Sequence, residues 1–85
     1  MALLKKLSDR WNRKHFEKLQ DGDMDVINAQ KLEQLGCFRK ANRRYEDAIL
    51  NFEKAKFFAT LLGNKEYKAI SQTRIEEIKD TINMV

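Results

Sequence analysis

Apolar side chains recur along this chain at intervals of three and four, without the sustained alternation of a strand. There is no proline and there are only three glycines, so polar clusters are left to punctuate it: DGDMD at 21–25, ANRR at 41–44 and GNK at 63–65. These divide the sequence into four helical segments and predict an all-α fold. In the first, residues 2–19, Leu3, Leu7, Trp11, His15 and Leu19 share one arc, with Leu4 beside them. The second, about 25–41, has Asp23 or Asp25 as N-cap, Ala29, Leu32, Leu35 and Gly36 on one side, and Ile27 and Phe38 at its edge. The fourth, about 65–83, lines up Tyr67, Ile70, Ile75, Ile78 and Ile82 against an outer face of Glu66, Lys68, Gln72, Glu76, Lys79 and Asp80.

The third segment, 45–62, is apolar on two sides. At 100° per residue Tyr45, Ala48, Ile49, Phe52, Ala55, Ala59 and Leu62 fall together, and Leu50, Phe57 and Leu61 form a second stripe nearly opposite. Such a helix is expected to lie sandwiched, with the alanines admitting a neighbouring backbone closely.

Length changes the weight of that second stripe. An 85-residue chain is one small domain, whose core rarely yields more than about 3–5 kcal/mol of net stability, so an apolar surface it carries is expected to serve folding or a partner. Charge is uneven: residues 1–20 hold six basic and two acidic side chains, net +4, and residues 21–85 hold eleven of each. The expected organisation is a basic amphipathic helix over 1–20 and a three-helix bundle over 21–85, in one domain. A single Cys37 permits no internal disulfide, as is ordinary in a reducing compartment. No membrane span or cleavable leader is evident, and a cytoplasmic location is expected.

Candidate chemistry is sparse. Asp21, Asp23 and Asp25 occupy the first, third and fifth places of a calcium loop, but Val26 stands where the turn needs glycine and Leu32 where it needs glutamate. A polar linker with helix caps is the expectation. His15 is the only histidine, read as a half-buried or surface side chain, and no metal-ligand spacing surrounds it. Cys37 has no base to activate it, and no phosphate loop or nucleophile elbow is present. No catalytic residue, metal or cofactor is expected.

From Leu32 the stretch LEQLGCFRKANRRYEDAILNFEKA resembles a tetratricopeptide repeat, with Leu35-Gly36 at the Leu-Gly pair and Ala48, Phe52 and Ala55 at helix B positions. Arg39 and Thr60 depart from the pattern, and only one repeat is visible. The same residues resemble the microtubule-interacting and trafficking (MIT) family, in which a Tyr-x-x-Ala-x-x-x-Tyr/Phe ladder follows a short polar turn and a long third helix closes a three-helix bundle. Asn42–Phe52 fits the ladder and Lys65–Asn83 the closing helix; the basic helix before them is outside the family pattern. The resemblance implies a protein or peptide partner held in an inter-helix groove, and trafficking or autophagy machinery on endosomal or autophagic membranes.

The groove candidates are Leu50, Lys54, Phe57, Phe58 and Leu61, with Gln72, Glu76 and Lys79 as a polar rim. The ladder itself reads as core. A rival reading gives the binding role to the first helix, through Lys5, Lys6, Arg10, Trp11, Arg13, Lys14 and Lys18 against an anionic membrane surface or an acidic partner. Packing of that helix on the bundle is the plainer account of its apolar arc. Nucleic acid is disfavoured, because no aromatic platform is interleaved with the basic residues. A third reading pairs the exposed stripe with a second copy of the chain.

Overall fold

The computed structural model describes residues 2–83 and contains three helices: α1 (Ala2–Gln34), α2 (Phe38–Leu62) and α3 (Lys65–Asn83). Consecutive helices are antiparallel, so α1 and α3 run the same way beside a central α2. The result is an all-α three-helix bundle shaped as a rod of 53 × 17 × 13 Å. Its length is that of α1, since 33 residues at 1.5 Å each span about 50 Å.

Both turns are set by glycine. Gly36 takes φ +78°, where its N–H donates to the Glu33 carbonyl (2.9 Å) and that of Cys37 to Leu32 (2.8 Å). Gly63 repeats the arrangement at φ +68°, with bonds from Gly63 to Thr60 (3.0 Å) and from Asn64 to Ala59 (3.1 Å). These paired bonds close the last helical turn when a residue without Cβ strain enters the left-handed region. Asn64 then serves the next helix, its Oδ1 accepting the Tyr67 N–H at 3.0 Å as an N-cap.

The expected ends of the last two helices, at Leu62 and at Lys65 and Asn83, are where the structure has them. Two expected breaks are absent. DGDMD lies inside α1, which joins the first two segments into one helix, and ANRR lies inside α2. Polar residues alone do not end a helix. Asp23 and Asp25, read as caps, reach sideways instead, Asp23 to Arg74 of α3 (3.5 Å) and Asp25 to Asn51 of α2 (2.7 Å). The Leu35-Gly36 pair forms the α1–α2 turn rather than a helix face, and Leu35 is 76% exposed.

The ladder is the core. Tyr45, Ala48, Phe52, Ala55 and Ala59 are buried along α2, and the main cluster adds Ala29, Ala41, Ile75 and Ile78, with Leu19, Val26, Leu32, Ile49 and Ile82 at its margin. At its centre α1 passes close over α2: a Cβ built on Gly22 would lie 2.5 Å from a ring carbon of Phe52. On α3 the buried face runs through Ser71, not Ile70, which is exposed; the Ser71 hydroxyl donates to the Tyr67 carbonyl (3.0 Å) and so needs no outside acceptor.

Two further expectations fail here. His15 is fully buried: its Nδ1 lies 2.8 Å from the Ala55 carbonyl, which can only accept, so Nδ1 carries the proton. Its ring stacks on Tyr67 (centroids 4.8 Å, planes 7° apart), and Phe16 meets both rings edge-on, tying all three helices at one level. Nor is α2 sandwiched. Both neighbours take its ladder side, and the opposite stripe stays open, with Leu50 56% and Phe57 59% exposed.

Candidate functional site

The open stripe borders α1 along one edge. There Leu50, Glu53, Lys54, Phe57 and Phe58 of α2 and Lys14 and Lys18 of α1 line a shallow groove. Phe57 and Phe58 pack edge to face at 5.6 Å. The floor is apolar, and the rim carries three lysines and one glutamate, with Lys14 and Lys18 each beside an acidic neighbour on α1, Glu17 at 3.6 Å and Asp21 at 3.8 Å. Helical spacing explains the arrangement: 50, 54, 57 and 61 repeat at intervals of four, three and four on the side away from the ladder, while Lys14 and Lys18 flank the buried His15 one turn apart.

Four of the expected groove residues, Leu50, Lys54, Phe57 and Phe58, therefore meet. Leu61 continues the stripe and is 40% exposed, but does not line the groove. Gln72, Glu76 and Lys79 do not reach it. Gln72 accepts a hydrogen bond from Lys56 (2.7 Å) and donates to Glu76 (3.2 Å), which places this pair on the α2–α3 seam. Lys14 and Lys18, assigned from sequence to a separate basic helix, turn out to be the groove's second wall. Nothing in their local sequence shows this, because it depends on how α1 crosses α2. Of the remaining basic residues, Lys6, Arg10 and Arg13 lie with Asp9, Lys14 and Glu17 along one side of α1, Lys5 is exposed, and Trp11 is half-buried.

A second depression opens between α1 and α3 over the α2 ladder, bordered by Asp23, Glu33, Arg74 and Glu77 and floored by Tyr45, Phe52 and Ile78. Burial raises the Tyr45 phenol to about 12, helped by the Glu33 carboxylate, which accepts its hydrogen bond and repels the phenolate. An unfolded chain would lose that proton near pH 10, so this contribution to stability is present in full below pH 10 and is lost as pH rises toward 12. Tyr45→Phe is expected to flatten this part of the alkaline loss. Urea midpoints at pH 9 and 11 for both proteins check it, and an identical drop in the variant would refute it.

Among the described residues no three His, Cys, Asp or Glu side chains gather as a metal site, and Cys37 is a free, partly exposed thiol. No helix of the described residues is long and apolar enough to cross a membrane. Compared with protein-family models, with curated proteins and with solved structures, the chain matches none.

Proposed function

We propose that the protein is a non-catalytic interaction module of the MIT or tetratricopeptide type. Its groove between α1 and α2 takes an amphipathic peptide segment, helical or extended, with acidic flanks. The observation that supports this reading is the uncovered stripe of the central helix. Leu50 and Phe57 are more than half exposed beside Phe58 on one face, and Lys14, Lys18 and Lys54 rim them. Apolar burial supplies the affinity, and the lysines select for carboxylates and set register. Through the resemblance to MIT domains, the partner belongs to trafficking or autophagy machinery.

The test uses a designed helical peptide with a leucine stripe and glutamate flanks, read by fluorescence anisotropy. Tight binding of this peptide and loss of binding when its flanks are lysine are the expected results. The double variant L50S/F57S should keep its helical signal and a stability within about 0.5 kcal/mol of the parent, since both sites are open to water, while binding disappears. Undiminished binding by the variant removes the groove from the account. A concentration-dependent dimer in sedimentation, dissolved by the same substitutions, would give the stripe to a second copy instead.

A further inference from the structure

The antiparallel fold sharpens a charge asymmetry that is mild in the linear sequence. It brings the N-terminal half of α1, the end of α2 and the start of α3 to one end of the rod. That end, residues 2–18, 53–62 and 65–71, carries ten basic and four acidic side chains, net +6. The other end carries seven and nine, net −2.

At the positive end α1 outruns its neighbours. His15 is level with Ala55 and Tyr67, and α2 stops seven residues after Ala55, so the residues before about Ser8 project beyond the α2–α3 turn by roughly 10 Å. Packing accounts for the lower part of the arc, where Leu7 and Trp11 are partly covered and His15 is buried. It does not account for Leu3 and Leu4, which are 70% and 67% exposed. Lys5 and Lys6 follow directly, then Arg10 and Arg13 on successive turns.

We propose that this end of the rod seats on an anionic lipid bilayer. Leu3 and Leu4 enter the headgroup–acyl boundary, and the basic collar lies in the negative surface potential. Charge complementarity alone would also suit a nucleic acid. The two leucines decide for lipid, because aliphatic side chains gain nothing from phosphodiesters but partition into the acyl boundary, whereas strand binders present aromatic faces for bases. The Leu3–Leu4 tip lies apart from the Leu50–Phe57 groove, although Lys14, Lys18 and Lys54 of the groove rim belong to the same positive end, so a protein holding a peptide in the groove would also be moored to a membrane.

The experiment is flotation of the full chain with vesicles of phosphatidylcholine alone or with about 30% phosphatidylserine, at physiological salt. Binding to the anionic vesicles alone is expected, reversed by 0.5 M salt as the Debye length shrinks. Lys5→Gln with Lys6→Gln should lower partitioning about twenty-five-fold, since each cation in the double layer is worth about fivefold. L3S/L4S should lower it at least tenfold, and L50S/F57S should leave it unchanged. Equal binding to neutral vesicles, no binding to either, or indifference to L3S/L4S would overturn the proposal. So would a preference for a single-stranded RNA 30-mer over the vesicles. Loss of lipid binding in L50S/F57S would reassign the lipid surface to the groove and overturn it equally, whereas loss of peptide binding alone bears only on the groove.

Discussion

Gly22→Ala is expected to destabilise the protein by about 1–3 kcal/mol, against the usual gain of about 1 kcal/mol when alanine replaces glycine inside a helix. Propensity and packing oppose each other here, and geometry shows which wins. The new methyl carbon would sit 2.5, 2.7 and 2.8 Å from three ring carbons of Phe52, whose side chain is fully buried and can yield only toward the depression it floors between α1 and α3. Relief requires the ring to leave its packed position or α1 to lift from α2 along the core. For a domain of this length each kcal/mol moves the melting temperature by about 4–8 °C, so thermal unfolding followed by helical circular dichroism resolves the effect. The companion variant Phe52→Ala should cost about 3–5 kcal/mol, comparable with all the stability such a chain has, and leave it largely unfolded. Phe52→Leu makes room at lower cost, and combined with Gly22→Ala it should be less damaging than the two single losses summed, by 0.5 kcal/mol or more. A Gly22→Ala protein as stable as its parent would mean the helices do not approach this closely.

His15→Ala is expected to cost about 2–4 kcal/mol, because it empties a fully buried site between Ala55, Tyr67 and Phe16. His15→Phe should cost clearly less. Phenylalanine keeps the stack on Tyr67 and gives up the bond to the Ala55 carbonyl, an acceptor that α2's own helical ladder also uses. It also removes a liability, since Nε2 of His15 is buried with no partner. Urea midpoints for the two variants separate the contributions. Equal losses would make the hydrogen bond, rather than the stack, the element that joins α1 to its neighbours.

The all-α class, the ladder and the final hairpin were legible because their signals are local. Gly63-Asn64 names both a helix end and the next helix start, and Tyr45, Ala48, Phe52 and Ala55 share a face wherever the helix goes. The clusters at 21–25 and 41–44 have the polar character of helix breaks, yet both lie within helices because polarity alone does not end one. Three glycines with identical local freedom do two different things: Gly36 and Gly63 turn the chain, while Gly22 stays helical because a buried ring needs the space above it. Only the tertiary partner distinguishes them. The same limit applies to the groove. A helix apolar on two sides implies a cover for each, but periodicity cannot tell whether α1 lies over Leu50 and Phe57 or beside the ladder. The burial of His15 is illegible locally for a related reason, since its partners Ala55 and Tyr67 are 40 and 52 residues away in the sequence.

The turns, three and two residues long, leave no slack between helices, and Asn64 anchors the helix on either side of it. A bundle joined this tightly has no hinge with which to mould itself around a visitor. Whatever docks on it meets a preformed face, so nearly all the conformational freedom given up on association comes from the incoming segment.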